Sequence, residues 1–144
     1  MFIVSDSLAM IRAIRAQPGP IGAWGFWLNI PQIVGGVLFL FRVEAVAVLL
    51  AELVALAVAG QIHRRSPFSR LTGLCHLPWL VLLPWLLVRL ATGDNGLWYA
   101  AWLWYVCITI AISLVFDVLD VIRWWRGDRR FAWASGGADP GAGG

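Results

Sequence analysis

Four apolar runs, at 21–41, 43–62, 71–91 and 97–122, take up most of this 144-residue sequence. Each has about twenty residues or slightly more, enough for a helix rising ~1.5 Å per residue to cross a ~30 Å hydrocarbon core. The runs are too long for strands and do not alternate. In a bilayer an isolated segment satisfies its own backbone only as a helix. Composition points the same way. Charged residues make up 13% of the chain, against about 25% in an ordinary soluble domain, and the mean hydropathy is +0.78. A soluble monomer, a disordered chain and a disulfide scaffold are excluded. The expected fold is an all-α membrane protein, with four transmembrane helices in an up-down antiparallel bundle behind a short N-terminal interfacial helix.

Three regions follow. Residues 1–17 read as an amphipathic segment, with Leu8, Ile11 and Ile14 on one face, Arg12 and Arg15 beside it, and Ser5 or Asp6 as a cap. Too short and too polar to span, it is expected to lie in the interface plane, and Pro18-Gly19-Pro20 ends it. Residues 18–124 form the four-helix domain, with connections at Arg42, His63–Arg70 and Thr92-Gly93-Asp94-Asn95-Gly96. Short connections force antiparallel neighbours. Residues 125–144 form an Arg/Trp-rich, then Gly-rich tail with nothing to bury from Ser135 on, and disorder is expected there.

All eleven basic residues are arginine. One side of the bundle carries Arg12, Arg15, Arg64, Arg65, Arg70, Arg123, Arg126, Arg129 and Arg130, and the other carries Arg42 and Arg89. The positive-inside rule then sets both termini in the cytoplasm, with the chain multi-pass in a bacterial inner membrane. Clustering beside apolar runs argues against nucleic acid as a partner. The lipid bilayer is the expected partner, with a homo-oligomer or another membrane protein left open. Cys75 and Cys107 fall inside apolar runs with no CxxC or metal-type spacing, so neither a disulfide nor a metal site is expected, nor is any cofactor. No cleavable signal peptide is visible, because Arg12 and Arg15 follow the first apolar residues rather than precede them. Trp24, Trp98, Trp124 and Trp125 lie near expected boundaries, where indole rings prefer to sit.

The informative residues are the polar ones inside the runs. Gly22, Gly25, Asn29, Gln32 and Gly36 fall within about 80° on the first helix. Ala47, Ala51, Ala55 and Ala59 recur every four residues on the second, with Glu52 beside them. Thr109, Ser113, Asp117 and Asp120 share a face of the fourth. Small residues let helices approach, and amides and hydroxyls bond across them. The acids are harder to dismiss as packing, since a carboxylate in lipid costs about 2.5–3.5 kcal/mol on insertion scales. By rise per residue, His76 and Asp117 sit about 8 and 9 Å inside the Arg-rich boundary, and Glu52 about 15 Å. Two polar levels are expected: Asn29, Gln32 and Glu52 at mid-membrane, and His76, Asp117 and Asp120 nearer the basic side, with Ser113 and Thr109 between. Arg42, Glu44 and Arg89 are expected to pair at the opposite surface. Pro78 and Pro84 are expected to kink the third helix.

Two functional classes lead. One is a structural or interaction component of the membrane whose polar groups fix helix register. The other is a small proton- or ion-linked transporter or channel using His76, Asp117, Asp120 and Glu52, since ionisable groups inside membranes commonly mark ion or proton routes. A membrane enzyme is not expected: Cys75 and His76 are adjacent but diverge by ~100° on a helix, and no other nucleophile–base arrangement is visible. The two histidines would suffice to ligate a haem in principle, but His63 reads as a solvated loop residue.

The stretches SRLTGLCHLPWLVLLPWLL at 69–87 and ISLVFDVLDVIRWWRGDR at 112–129 carry an R-x-x-G-x-x-H start (Arg70, Gly73, His76) and an acid-rich helix end. In these the chain resembles small four-span inner-membrane proteins of proteobacteria with no assigned activity. The resemblance implies that Glu44, His76 and Asp117 are the polar positions to watch, and it brings no mechanism with it.

Overall fold

The structure, a computed structural model, describes residues 2–15, 20–93, 95–128 and 131. The side chain of Arg15, Pro18, Gly19, the position of Gly22 in its polar row, Asp94, Arg129, Arg130 and the tail from Ser135 lie outside the described residues. The chain is all-helical, with no strand among the described residues. In order come α1 (Phe2–Arg15), α2 (Pro20–Leu38), α3 (Val43–Arg65), a 3₁₀ helix (Arg70–His76), α4 (Trp79–Thr92) and α5 (Leu97–Trp125).

Helices α3 and α5 are each long and apolar enough to cross a membrane. The 3₁₀ helix and α4 make a third candidate if taken together, bent by 43° at their junction. Helix α2, 19 residues long, is not among these candidates in the described residues. The outer faces are apolar, with Val81 77% and Leu53 63% exposed. Much of the polar chemistry is inside, where Gln32, Glu44, Glu52, Ser113 and Arg70 are all buried.

The expected third helix at 71–91 is broken, and Pro78 explains where. It has no N–H to return to Leu74 O, which instead accepts from Leu77 N in the tighter 3₁₀ manner at 3.3 Å. Ser69 opens the 3₁₀ helix, its hydroxyl accepting from Leu71 N at 3.3 Å. Phe68 makes the turn before it at φ 56°, a left-handed conformation uncommon for a non-glycine residue. Helix α3 runs through His63 to Arg65, past the expected end at 62.

α1 is a helix as expected, but it packs along α3. Ser7 Oγ donates to Leu56 O at 3.0 Å, and Asp6 accepts from Gln61 at 3.1 Å and Arg64 at 3.3 Å. Asp6 and Ser5 therefore lie within the helix and do not cap it. Met10 is buried against Ala55, Ala59 and Cys75. Contacts move down α3 as they move up α1, so the two run in opposite directions. Gly60 permits this approach, since a Cβ there would lie 2.8 Å from Ser7 Oγ.

The main core gathers Val48, Trp79, Leu86, Leu103, Val106 and Ile110 from α3, α4 and α5. Helix α2 is stitched to α5. Pro31 leaves the Trp27 carbonyl without its helical donor, and the Tyr105 hydroxyl donates to it. Trp102 Nε1 donates to Pro31 O at 3.2 Å. Gly35, outside the expected glycine row, is where the Trp102 ring presses on the α2 backbone, whereas Gly25, inside that row, faces open space.

Candidate functional site

The R-x-x-G-x-x-H spacing has a geometric meaning once the segment is 3₁₀. At three residues per turn, positions three apart eclipse. Arg70, Gly73 and His76 therefore stand in one row, facing the acids of α5. Arg70 Nη1 donates to Asp120 at 2.6 Å and Nη2 to Asp128 at 2.8 Å. A Cβ on Gly73 would lie 2.6 Å from Asp117 Oδ1, so only glycine leaves room for that carboxylate. His76 Nδ1 lies 2.7 Å from Asp117 Oδ2, and the imidazole stacks on the Trp79 ring at 4.0 Å.

Of the inner level expected from sequence, His76 and Asp117 meet. Asp120 does not join them but is held by Arg70, a residue assigned from sequence only to the basic flank. The mid-membrane level does not form as one set. Gln32 Nε2 donates to Thr109 Oγ1 at 3.1 Å. Asn29 bonds back to Gly25 O of its own helix at 2.7 Å. Glu52 is buried, and its Oε1 has no partner among the described residues. The Cys75 thiol is buried against Met10, Ala55 and Ala59. Cys75 and Cys107 are free thiols.

At the opposite end Arg89 Nε donates to Glu44 Oε1 at 2.5 Å and Tyr99 OH to Glu44 Oε2 at 2.8 Å. Arg42 stands beside this pair, 4.4 Å over the Tyr99 ring, and donates to Asn95 at 2.9 Å. Phe39 packs on Tyr99 and Trp102 beside it, which closes this end with aromatic rings.

The basic end is open. A cavity of about 660 Å³ lies beside the His76–Asp117 pair, lined by Met10, Trp24, Leu28, His63, Phe68, Thr72, Gly73, His76, Ser113, Phe116, Asp117, Asp120 and Phe131. Its walls are mostly apolar, and its polar groups converge from α5 and the 3₁₀ helix. Ser113 is 4% exposed, and its hydroxyl has no partner among the described residues. His63 is not a solvated loop residue. It belongs to α3, meets Phe68 edge-on at 5.0 Å and lines the same cavity. Met10 and Phe131, in segments read as an interfacial helix and a disordered tail, both line it. Phe131 N donates to Phe68 O at 3.3 Å, and its ring carries the Arg70 guanidinium at 4.9 Å. So the start of the tail, with Asp128, is docked on the bundle. Among the described residues no group of three or more His, Cys, Asp or Glu side chains is arranged to hold a metal ion.

No family model, curated protein or solved structure matches the chain.

Proposed function

We propose that this is a four-span protein of a bacterial inner membrane with both termini cytoplasmic, and that it works as a small proton-linked carrier through a cavity open to the cytoplasm. One observation carries the functional part. His76 and Asp117, 2.7 Å apart, form part of the wall of a 660 Å³ cavity in the basic half of the molecule. Packing alone calls for the contact, not for the cavity.

A hydrogen-bonded histidine–carboxylate pair can hold and hand on a proton between ring nitrogen and carboxylate oxygen. The groups around Asp117 are His76 and Cys75 on the 3₁₀ helix, Arg70 and Asp120 beside them, His63 and Glu52 on α3, and Ser113 on its own helix. Inward of the pair, Ser113 Oγ, Glu52 Oε1, Gln32 Oε1 and Trp79 Nε1 are buried polar atoms without partners among the described residues. Such atoms are usually satisfied by ordered water, and water between them would extend a proton path toward the middle of the bundle. Asp120 takes no part: Arg70 holds it as a structural ion pair.

The topology draws on the arginine distribution and the apolar outer faces. With α2 as a span, the order is up-down, and α1 lies against the cytoplasmic half of α3. Thiol labelling in intact cells tests it. Cysteine placed at Ser66 should be shielded from an impermeant maleimide, and cysteine at Gly96 should react.

The transport test uses purified protein in proteoliposomes with an imposed pH gradient. Wild type should dissipate the gradient faster than protein-free vesicles. Asp117→Asn and Glu52→Gln should slow it to the protein-free rate. Equal rates for wild type and Asp117→Asn would end the carrier reading.

A second reading has its own observation. Gln32–Thr109, Glu44–Arg89–Tyr99 and Arg70–Asp120 are closed pairs between elements, as a structural or interaction component of the membrane needs to fix register. On that reading a stable partner co-migrates with the protein on blue-native gels and no flux is seen.

A further inference from the structure

We propose that the cavity at the basic end binds a lipophilic organic cation, an amine or onium group carried on apolar bulk. This names a ligand class for the site proposed above and rests on that cavity being a working site, but not on proton movement.

The shape is right for one such molecule. A volume of about 660 Å³ falls within the few hundred to ~1,000 Å³ typical of small-molecule sites, which are mostly apolar with a few convergent polar groups. The aromatic lining is right for a cation. Trp24, Phe68, Phe116 and Phe131 all border the space, and ring faces attract cations, more strongly when desolvated. One wall ring already holds one: the Arg70 guanidinium sits 4.9 Å from the Phe131 centroid.

The charge has the right sign. Asp117 and Asp120 line the cavity, and among the described residues no arginine does. The buried guanidinium of Arg70 is shared between Asp120 and Asp128. Among the described residues three carboxylates thus face one buried arginine, and Asp117 has the His76 imidazole opposite it. The arginines Arg64, Arg65, Arg123 and Arg126 of this end are exposed. An anion would meet two carboxylates in a space of low polarity. A neutral acyl chain would fill the apolar walls and leave Asp117 answered by His76 alone, and the Ser113 hydroxyl without a partner among the described residues. A cationic headgroup satisfies the first, and any N–H it bears donates to the second.

The experiment compares two ions of one shape and opposite charge. Full-length protein in uncharged detergent is dialysed to equilibrium against tetraphenylphosphonium or tetraphenylborate, with protein-free micelles subtracted. Tetraphenylphosphonium should bind saturably, one per chain, and tetraphenylborate at least about tenfold more weakly. Asp117→Asn should weaken the phosphonium by at least about tenfold. Phe116 is 57% exposed, so Phe116→Ala should fold, and it should weaken binding several-fold by removing one ring face. Equal binding of both ions identifies an apolar slot for a lipid chain and overturns the proposal. So does absence of saturable phosphonium binding, or binding indifferent to both substitutions. Phosphonium binding without proton flux keeps the cation site and ends the carrier reading. Flux sensitive to Asp117→Asn without phosphonium binding does the reverse.

Discussion

Gly73 and Asp117 touch backbone to carboxylate: a methyl group on Gly73 would sit 2.6 Å from Asp117 Oδ1 and 3.0 Å from Cγ. The same carboxylate meets His76 one 3₁₀ turn later. The helix and the acid are therefore fitted to each other, and neither shifts without the other.

Gly73→Ala should accordingly destabilise the protein by about 1–3 kcal/mol, the usual cost of forcing atoms into a filled space. Gly25→Ala is the control. Its Cβ meets nothing within 4 Å, and alanine is favoured over glycine in a helix, so it should be neutral or slightly stabilising. Thermal denaturation in detergent, followed by loss of the monodisperse peak, separates the two.

Arg70 is the next link. Its side chain is 7% exposed, that of Asp120 18% and that of Asp128 53%. Arg70→Ala leaves Asp120 in a poorly hydrated place without its counter-ion, a change that costs about 3–5 kcal/mol in buried pairs. Asp128→Asn removes a partner that solvent already screens and should cost less than about 1 kcal/mol. Arg70→Lys should not rescue, because a single ammonium does not reproduce a fork that reaches two acids at once. A double-substitution cycle of Arg70→Ala with Asp120→Ala should show strong coupling, and with Asp128→Ala weak coupling.

These two sites show what could be read in advance. Counting rise per residue brings His76 and Asp117 to similar depth, and they meet. It does not give the partner of Asp120, because Arg70 reads equally well as one more membrane-flanking arginine. The missed signal is the matched spacing: Arg70, Gly73 and His76 three apart, and Asp117 and Asp120 three apart. Three-apart residues eclipse on a 3₁₀ helix and share a face on an α-helix, so the two rows can face each other, but hydropathy does not distinguish 3₁₀ from α. Helix α1 is legible as an amphipathic helix, but an apolar stripe does not say whether lipid or protein covers it. The cavity was not legible at all. It is built from six segments far apart in sequence, including Met10 and Phe131, which carry no sequence mark of their own.

The Glu44 carboxylate offers a test at the other end. Its side chain is 4% exposed and accepts from both Arg89 and Tyr99. Tyr99→Phe keeps the ring under Arg42 and removes one donor, leaving Oε2 unpaired, for about 1–3 kcal/mol. Because this end is closed and away from the cavity, the loss should appear in the melting temperature and not in phosphonium affinity. An affinity change of similar size would mean that the two ends are linked.

The seating of α1 has a covalent test. Building a Cβ on Gly60 brings it 3.0 Å from Ser7 Cα and 2.9 Å from Ser7 N, closer than the Cβ–Cβ separation of about 3.8 Å in a disulfide, so a small outward shift of α1 meets the required geometry. With the buried native cysteines left in place, Ser7→Cys together with Gly60→Cys should form an intramolecular disulfide under mild oxidation, read as a faster-migrating band that reductant removes. Ser7→Cys with Val54→Cys, on the exposed face of α3, should not. If α1 lay flat in the membrane interface, away from α3, Gly60 would be out of reach of residue 7 and neither pair would cross-link. The cross-linked protein should also keep phosphonium binding, because Met10 then stays against Ala55 and Ala59 and the cavity wall it supplies is held in place.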